Sequence, residues 1–523
     1  MTWVHDAIQR GTLRTTAMAN LDALRELDLD RIGERFEEPD GQPHANVRRV
    51  AFLVVHGMGQ QVPFETLSML GQALVTQDDA RKKRHSAQHE GAPRGKDPQV
   101  SVGRVRLTQG EDAPELSRVE VSFGKDDLPP GVREPVDVHL YESYWAPLTE
   151  GQISFLQTVQ FLYVASWNGI RTLFEGKWKA AWAWLESESP ERVPPAAPDA
   201  ADASGSEDGH FDRWMFGRFR NLPIKRGTYW ALLGVVLVVT LALIPALLVF
   251  TPWGISLLER FAKGLWPGTL HWHWWRRCVA GLAVTGFLAL AWWVHYFVIE
   301  YVGDVAIYVS SYKVSAFHAI REKILEAVRT VAHEIYSAGI ADRSQPRYDE
   351  VVIVGHSLGS VIAYDALNEA INWDEVECGF TRRVVERTTR LITFGSPLDK
   401  TAFLFRTQVS QARNLREALA ARQQPLILNY GKFRPATFRW INIWSKRDYI
   451  SGCLRYYDIP KDEAKDPGNA QYGKRNPVIN CTDPDARVPV MAHVQYWEHS
   501  KLHRVLYRAV WARARKALLV MSA

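Results

Sequence analysis

Along the chain, unbroken apolar runs give way to short polar stretches marked by glycine. Val50-Ala51-Phe52-Leu53-Val54-Val55 leads directly into His56-Gly57-Met58-Gly59, and Val351-Val352-Ile353-Val354 leads into Gly355-His356-Ser357-Leu358-Gly359. Apolar runs of this kind, bounded by turn formers, predict buried strands. The second is followed by Val361 to Leu367 at helical spacing, so strand, tight turn and helix follow one another. Val138 to Trp145 is a further strand-like stretch, and Leu391 to Phe394 and Trp440 to Trp444 are two more, leading to the acids Asp399 and Asp448. Residues 153–174 are apolar at helical spacing with Gln157, Gln160, Asn168 and Arg171 among them, which predicts either an amphipathic helix, lying on a bilayer or capping a site, or a packed core helix. Residues 79–99 are dense in charge and predict a solvated loop bearing Arg81, Lys82, Lys83 and Arg84. Residues 189–209, rich in Pro, Ala, Asp and Ser, predict a flexible linker.

Two stretches depart from this pattern. Trp230 to Phe250 and Cys278 to Ile299 carry no Asp, Glu, Lys or Arg. Roughly 20 apolar residues in a helix match a hydrocarbon core of about 30 Å, so each predicts a transmembrane helix. Trp253, Trp266, Trp272, Trp274 and Trp275 lie between them, where an interfacial aromatic belt belongs. Pro245 predicts a kink in the first span. A two-span hairpin returns the chain to its starting side, which leaves the segments before and after it free to build one domain.

The chemistry is carried by the turns. A serine hydroxyl is a weak nucleophile at neutral pH and needs a base beside it and an exposed, strained turn to present it. Ser357 stands on such a turn, with Gly355 and Gly359 letting the strand fold back onto the helix. The amide of Leu358, at the helix N-terminus, is the first oxyanion donor, and that of Met58, in the glycine loop with Gly57 and Gly59, is the second. His56 reads as a structural residue fixing that loop. An orienting acid belongs just past a strand end; Asp448 is favoured and Asp399 is the alternative. The base belongs last in this chain order, which favours His493 over His499 and His503.

Composition narrows the picture further. A net charge of +5 over 523 residues is too small and too dispersed for a nucleic-acid binder. Four cysteines without CxxC spacing, and no HExxH or carboxylate cluster, leave no expected metal, and no cofactor is expected. Cys453 and Cys481 could pair in an oxidising compartment, but two reduced thiols are the plainer expectation. The first forty residues mix charges among their apolar positions and lack the core of a signal peptide.

With His56-Gly57-Met58-Gly59, Gly355-His356-Ser357-Leu358-Gly359 and Thr393-Phe394-Gly395-Ser396-Pro397 in place, the sequence resembles the α/β-hydrolase superfamily, in its lipase and serine-esterase branches. The Thr393 to Pro397 run is similar to that of class 3 lipases and inositol-deacylase-like enzymes. The likeness covers about Val50 to Trp145 and Ser311 to Leu506. It implies an α/β fold with a mostly parallel sheet, a triad of Ser357, His493 and Asp448, and acyl transfer through an acyl-enzyme. The domain organisation expected is an N-terminal helical segment (1–48), a first hydrolase part (49–150), an amphipathic segment (151–188), a linker (189–212), two spans (230–250 and 278–299) and a second hydrolase part (301–523). The expected protein is a membrane-anchored serine esterase acting on lipid or other acyl esters, in a plasma or inner membrane with a cytosolic catalytic domain. An acyltransferase, thioesterase or peptidase would use the same triad, and a non-catalytic scaffold or sensor would keep the fold without turnover.

Overall fold

A computed structural model describes residues 33–36, 47–58, 64–88, 98–106, 115–124, 134–150, 315–340, 346–401, 437–448, 450–454, 478–488 and 491–511, with isolated positions 128–129, 132, 152, 157, 163, 308 and 433. Nine strands form one sheet: β1 (Gly33–Phe36), β2 (Arg48–Val55), β3 (Gln99–Arg106), β4 (Glu115–Phe123), β5 (Val136–Ser143), β6 (Glu350–His356), β7 (Thr388–Phe394), β8 (Arg439–Trp444) and β9 (Val478–Thr482). Their order is β1-β3-β4-β5-β2-β6-β7-β8-β9. β4 runs antiparallel to both neighbours, and every other pairing is parallel.

The strands at the centre are buried on both faces, which is why β2 and β6 read as continuous apolar runs. Side chains alternate between two cores. On one face, Ala51, Leu53, Val55, Val351, Ile353, Leu391 and Trp440 meet helices α2 (Ser315–Ser337) and α3 (Leu358–Val376). On the other, Val50, Phe52, Val54, Val352, Val354, Ile392 and Ile443 meet α1 (Glu65–Gln88) and α6 (Ser500–Val510). Each such Val, Leu or Ile contributes about 1.5–3 kcal/mol by leaving water. Two short helices, α4 (Val384–Arg387) and α5 (Ala492–Gln495), complete the described set.

The sheet is mostly parallel, as expected, with β4 alone reversed between β3 and β5. Three expectations need correction. Among the described residues no helix is long and apolar enough to cross a membrane, against the expected two-span hairpin. The stretches 230–250 and 278–299 lie outside the described residues, as do the linker 189–212 and nearly all of 151–188. The charged loop expected from residue 79 onward is, as far as Gln88, the second half of α1. Its charge is not simply solvated: the buried Asp78 takes Lys82 at 2.7 Å, Arg81 at 2.9 Å and the Tyr507 hydroxyl of α6 at 2.7 Å. This carboxylate lets a charged helix face pack against its neighbour. Residues 33–36, within the segment read as helical, form strand β1 beside β3.

Candidate active site

β2 and β6 lie side by side and in parallel, with Val55 opposite Gly355, so their C-terminal ends deliver two loops to one place. Ser357 joins β6 to α3 with φ 51° and ψ −129°. A side chain with positive φ costs on the order of 1–3 kcal/mol and persists only where its surroundings enforce it. Here the enforcement is close packing of backbone on backbone. A Cβ on Gly355 would stand 2.5 Å from Ser360 Cα, and one on Gly359 would meet the carbonyl oxygens of Val55 and His56. Gly359→Ala should therefore destabilise the fold by roughly 1–3 kcal/mol or more, because rigid backbone cannot yield as a side chain would. Chemical denaturation of the purified variant measures this.

Around the elbow the side chains form one connected chain. Ser357 Oγ lies 2.7 Å from His493 Nε2, and His493 Nδ1 lies 3.0 Å from Asp448 Oδ2. Asp448 follows β8, and its other oxygen accepts the Ile450 amide at 2.9 Å. His493 is the second residue of α5, two past Met491. All three side chains are buried. Burial alone would raise the Asp448 carboxyl, but the hydrogen bond and charge of His493, with help from the Ile450 amide and Ser451, outweigh it and hold the group well below the usual carboxylate range.

Asp399 is elsewhere. It lies beyond β7 with its carboxylate against Gly452, where a Cβ would collide with it, and it accepts the Lys400 amide at 2.9 Å. Lys400 Nζ donates to the Ser451 carbonyl at 3.1 Å, so this pair steadies the loop that follows Asp448. Nor do the two alternative histidines enter the site: His499 Nδ1 meets Asp483 Oδ2 at 3.0 Å, and His503 Nε2 donates to the Trp497 carbonyl at 2.6 Å.

No protein-family model matches the chain, nor does any curated protein or solved structure.

Two further histidines brace it. His56 Nδ1–H donates to the Gly57 carbonyl at 2.8 Å while Nε2 accepts the Trp145 amide at 3.0 Å, and the two rings stack at 4.9 Å. The loop after β2 is thus tied to the residues after β5. His356 Nε2–H donates to the His493 carbonyl at 3.1 Å, and its ring stacks on Phe394 at 4.8 Å and meets Trp497 edge-on at 5.3 Å. A Cβ on Gly57 would fall 2.9 Å from His356 Nδ1 and 3.0 Å from Ser357 Cβ, so the glycine loop presses directly on the elbow. Met58, next in that loop, is buried, and Leu358 is the first residue of α3, where backbone amides lack intrahelical acceptors. Gly59 lies outside the described residues. Among the described residues no group of His, Cys, Asp or Glu is arranged to hold a metal ion, and Cys453 and Cys481 are not joined to each other.

The bracing histidines give the fold a pH dependence. Unfolded, an imidazole takes its proton near pH 6.5. Folded, burial lowers His56 to about 4 despite the Gly57 hydrogen bond, and burial with the nearby His493 lowers His356 to about 3. Between pH 6.5 and those values the unfolded chain binds more protons than the folded one. Stability is full above pH 6.5 and falls as pH drops below it, by about 1.4 kcal/mol per unit for each histidine. Asp448 adds to the loss at still lower pH, where protonation removes its tie to His493. Melting temperature measured from pH 7.5 to 4.5 should decline on this schedule, and less steeply in His356→Gln. An equal slope in wild type and variant would contradict the assignment.

Proposed function

We propose that the protein is a serine hydrolase that cleaves carboxylic esters through Ser357, His493 and Asp448. The observation that carries this reading is the unbroken hydrogen-bonded chain from Asp448 through His493 to a serine held at positive φ on a strand-to-helix turn. The resemblance of its motifs to the α/β-hydrolase superfamily, lipase and serine-esterase branches, agrees with it.

In the proposed reaction, Ser357 Oγ attacks the ester carbonyl carbon as His493 Nε2 takes the hydroxyl proton. Asp448 fixes the imidazole by accepting from Nδ1 and stabilises its cationic form. The amides of Leu358 and Met58 receive the charge that develops on the carbonyl oxygen. Collapse breaks the C–O bond, His493 returns the proton to the departing alcohol, and an acyl group remains on Ser357. Water, deprotonated by His493, then attacks the acyl carbon; collapse breaks the bond between that carbon and Ser357 Oγ, His493 returns the proton to the serine, and the carboxylic acid leaves.

Lipid esters as substrates, and association with a membrane, belong to the proposal on the sequence alone, from the uncharged apolar stretches 230–250 and 278–299. The test takes purified full-length protein with ester, thioester and amide substrates of short and long acyl chains, each beside Ser357→Ala. Ester hydrolysis lost in the variant, with fluorophosphonate labelling of the wild type alone, is the expected result. Labelling that persists in Ser357→Ala, or turnover confined to amides, overturns it.

A further inference from the structure

Resting on that reading, we propose that Tyr496 is a positioning residue of the same site: it aims the Asp448 carboxylate at His493 and draws part of the carboxylate's charge away from the imidazole. Tyr496 opens the single 3-10 turn Tyr496–Glu498, directly after α5. Its hydroxyl donates to Asp448 Oδ2 at 2.9 Å, the same oxygen that faces His493 Nδ1 at 3.0 Å. The phenol oxygen lies 3.1 Å from Ser451 Oγ, and with its own proton committed to Asp448 it accepts from that serine. The order is therefore Ser451, Tyr496, Asp448, His493, Ser357. Burial and the charge of Asp448 push the phenol far above its ordinary value, so Tyr496 stays protonated and donates throughout the working pH range. The ring is fully buried and lies edge-on to Phe394 at 6.2 Å.

The physical role follows from two donors sharing one oxygen. With only the Ile450 amide on Oδ1, the Ser451 hydroxyl beside the carboxylate and His493 on Oδ2, the second side of Oδ2 would stand open and the carboxylate could turn about its Cβ–Cγ bond and spoil the Nδ1 contact. The phenol on the second side of Oδ2 prevents that. It also spreads the carboxylate charge over two donors, which weakens its pull on the imidazole proton and keeps the free-base form of the site available to lower pH. Facing Tyr496 are Asp448, Ser451 and the backbone of Ser445; His493 lies across Asp448, and the ring of His356 is 5.2 Å from that of His493. Beyond Ser451 lies the Lys400 ammonium, which donates to the Ser451 carbonyl at 3.1 Å and pairs with Asp399.

Tyr496→Phe tests the inference, since it removes the hydroxyl and keeps the ring. The expected result is a loss of about ten- to a hundredfold in kcat/KM, carried by kcat with KM nearly unchanged. The acid limb of the pH–rate profile should move up by about half a unit. A role in packing alone would leave that limb where it is in wild type, and an unmoved limb with unchanged kcat overturns the inference. Should Tyr496→Phe fail to fold, Ser451→Ala carries the test, with a smaller upward shift expected and no shift overturning it. An active wild type beside an unaltered variant removes only the role of Tyr496. A wild type without Ser357-dependent turnover removes the hydrolase reading, and this inference with it.

Discussion

On the proposed reading, Ser357→Ala is expected to lower ester turnover by about a millionfold, and His493→Ala by nearly as much, with the double variant scarcely worse than either. The two side chains share one proton across 2.7 Å, so losing either partner ends the step that the pair performs. What survives is the contribution of the backbone amides and of substrate binding, roughly 10³–10⁴ over the uncatalysed rate. Single-turnover measurements on a chromogenic ester, with fluorophosphonate labelling alongside, read both effects. Losses that multiply in the double variant would mean that Ser357 and His493 act separately, contrary to their geometry.

Asp448→Asn is expected to lower turnover by about 10⁴-fold with little change in the fold. The amide retains the shape of the carboxylate but not its charge, and it can present an N–H to His493 Nδ1, leaving the imidazole in the wrong tautomer to accept from Ser357. Asp399→Asn is the informative comparison. Its carboxylate meets Lys400 and Gly452 and makes no described hydrogen bond to His493, so the substitution costs stability at a partly buried ion pair and leaves turnover within about tenfold of wild type. Rates and denaturation midpoints for both variants separate chemistry from folding. If Asp399→Asn fell as far as Asp448→Asn, the orienting role would not belong to Asp448.

That pair of acids marks how far the sequence could be read. Each follows a strand end, after Phe394 and after Trp444, and local pattern carries no information about which loop bends toward the histidine. The strand and helix left between the serine strand and the acid favour Asp448, while chain order fits both; the side-chain contacts that distinguish the two join residues 45 or more positions apart. The elbow was legible because its demands are local: a strand, two glycines that no Cβ could replace, and a helix. Tyr496 was not, since a tyrosine between Gln495 and Trp497 belongs to no motif and acts only through its neighbours in space.

The sheet follows the same division. β2 and β6 declare themselves by uninterrupted burial, whereas the direction of β4 does not, because Val119, Val121 and Phe123 alternate with Arg118, Glu120 and Ser122 whichever way the strand runs. The charged half of α1 was misread for the opposite reason: its ion pairs with Asp78, and the reach of Tyr507 to that same carboxylate, are tertiary, and charge density alone suggested solvent. As for the two uncharged stretches, apolar composition gives length and polarity but not the architecture around them.

The adjacency of β2 and β6 also sets a schedule for making the protein. β5 can pair with one edge of β2 early, but the other edge waits for β6, and Glu350 comes 350 − 55 = 295 residues after Val55. At roughly 5–20 residues per second on the ribosome, that interval is about 15–60 s. Throughout it the apolar run of β2 has an edge whose described partner is not yet made, the feature by which unfinished sheets recruit one another. The strand neighbours that bring the glycine loop to the serine thus make synthesis itself the stage at which this chain is most exposed to self-association.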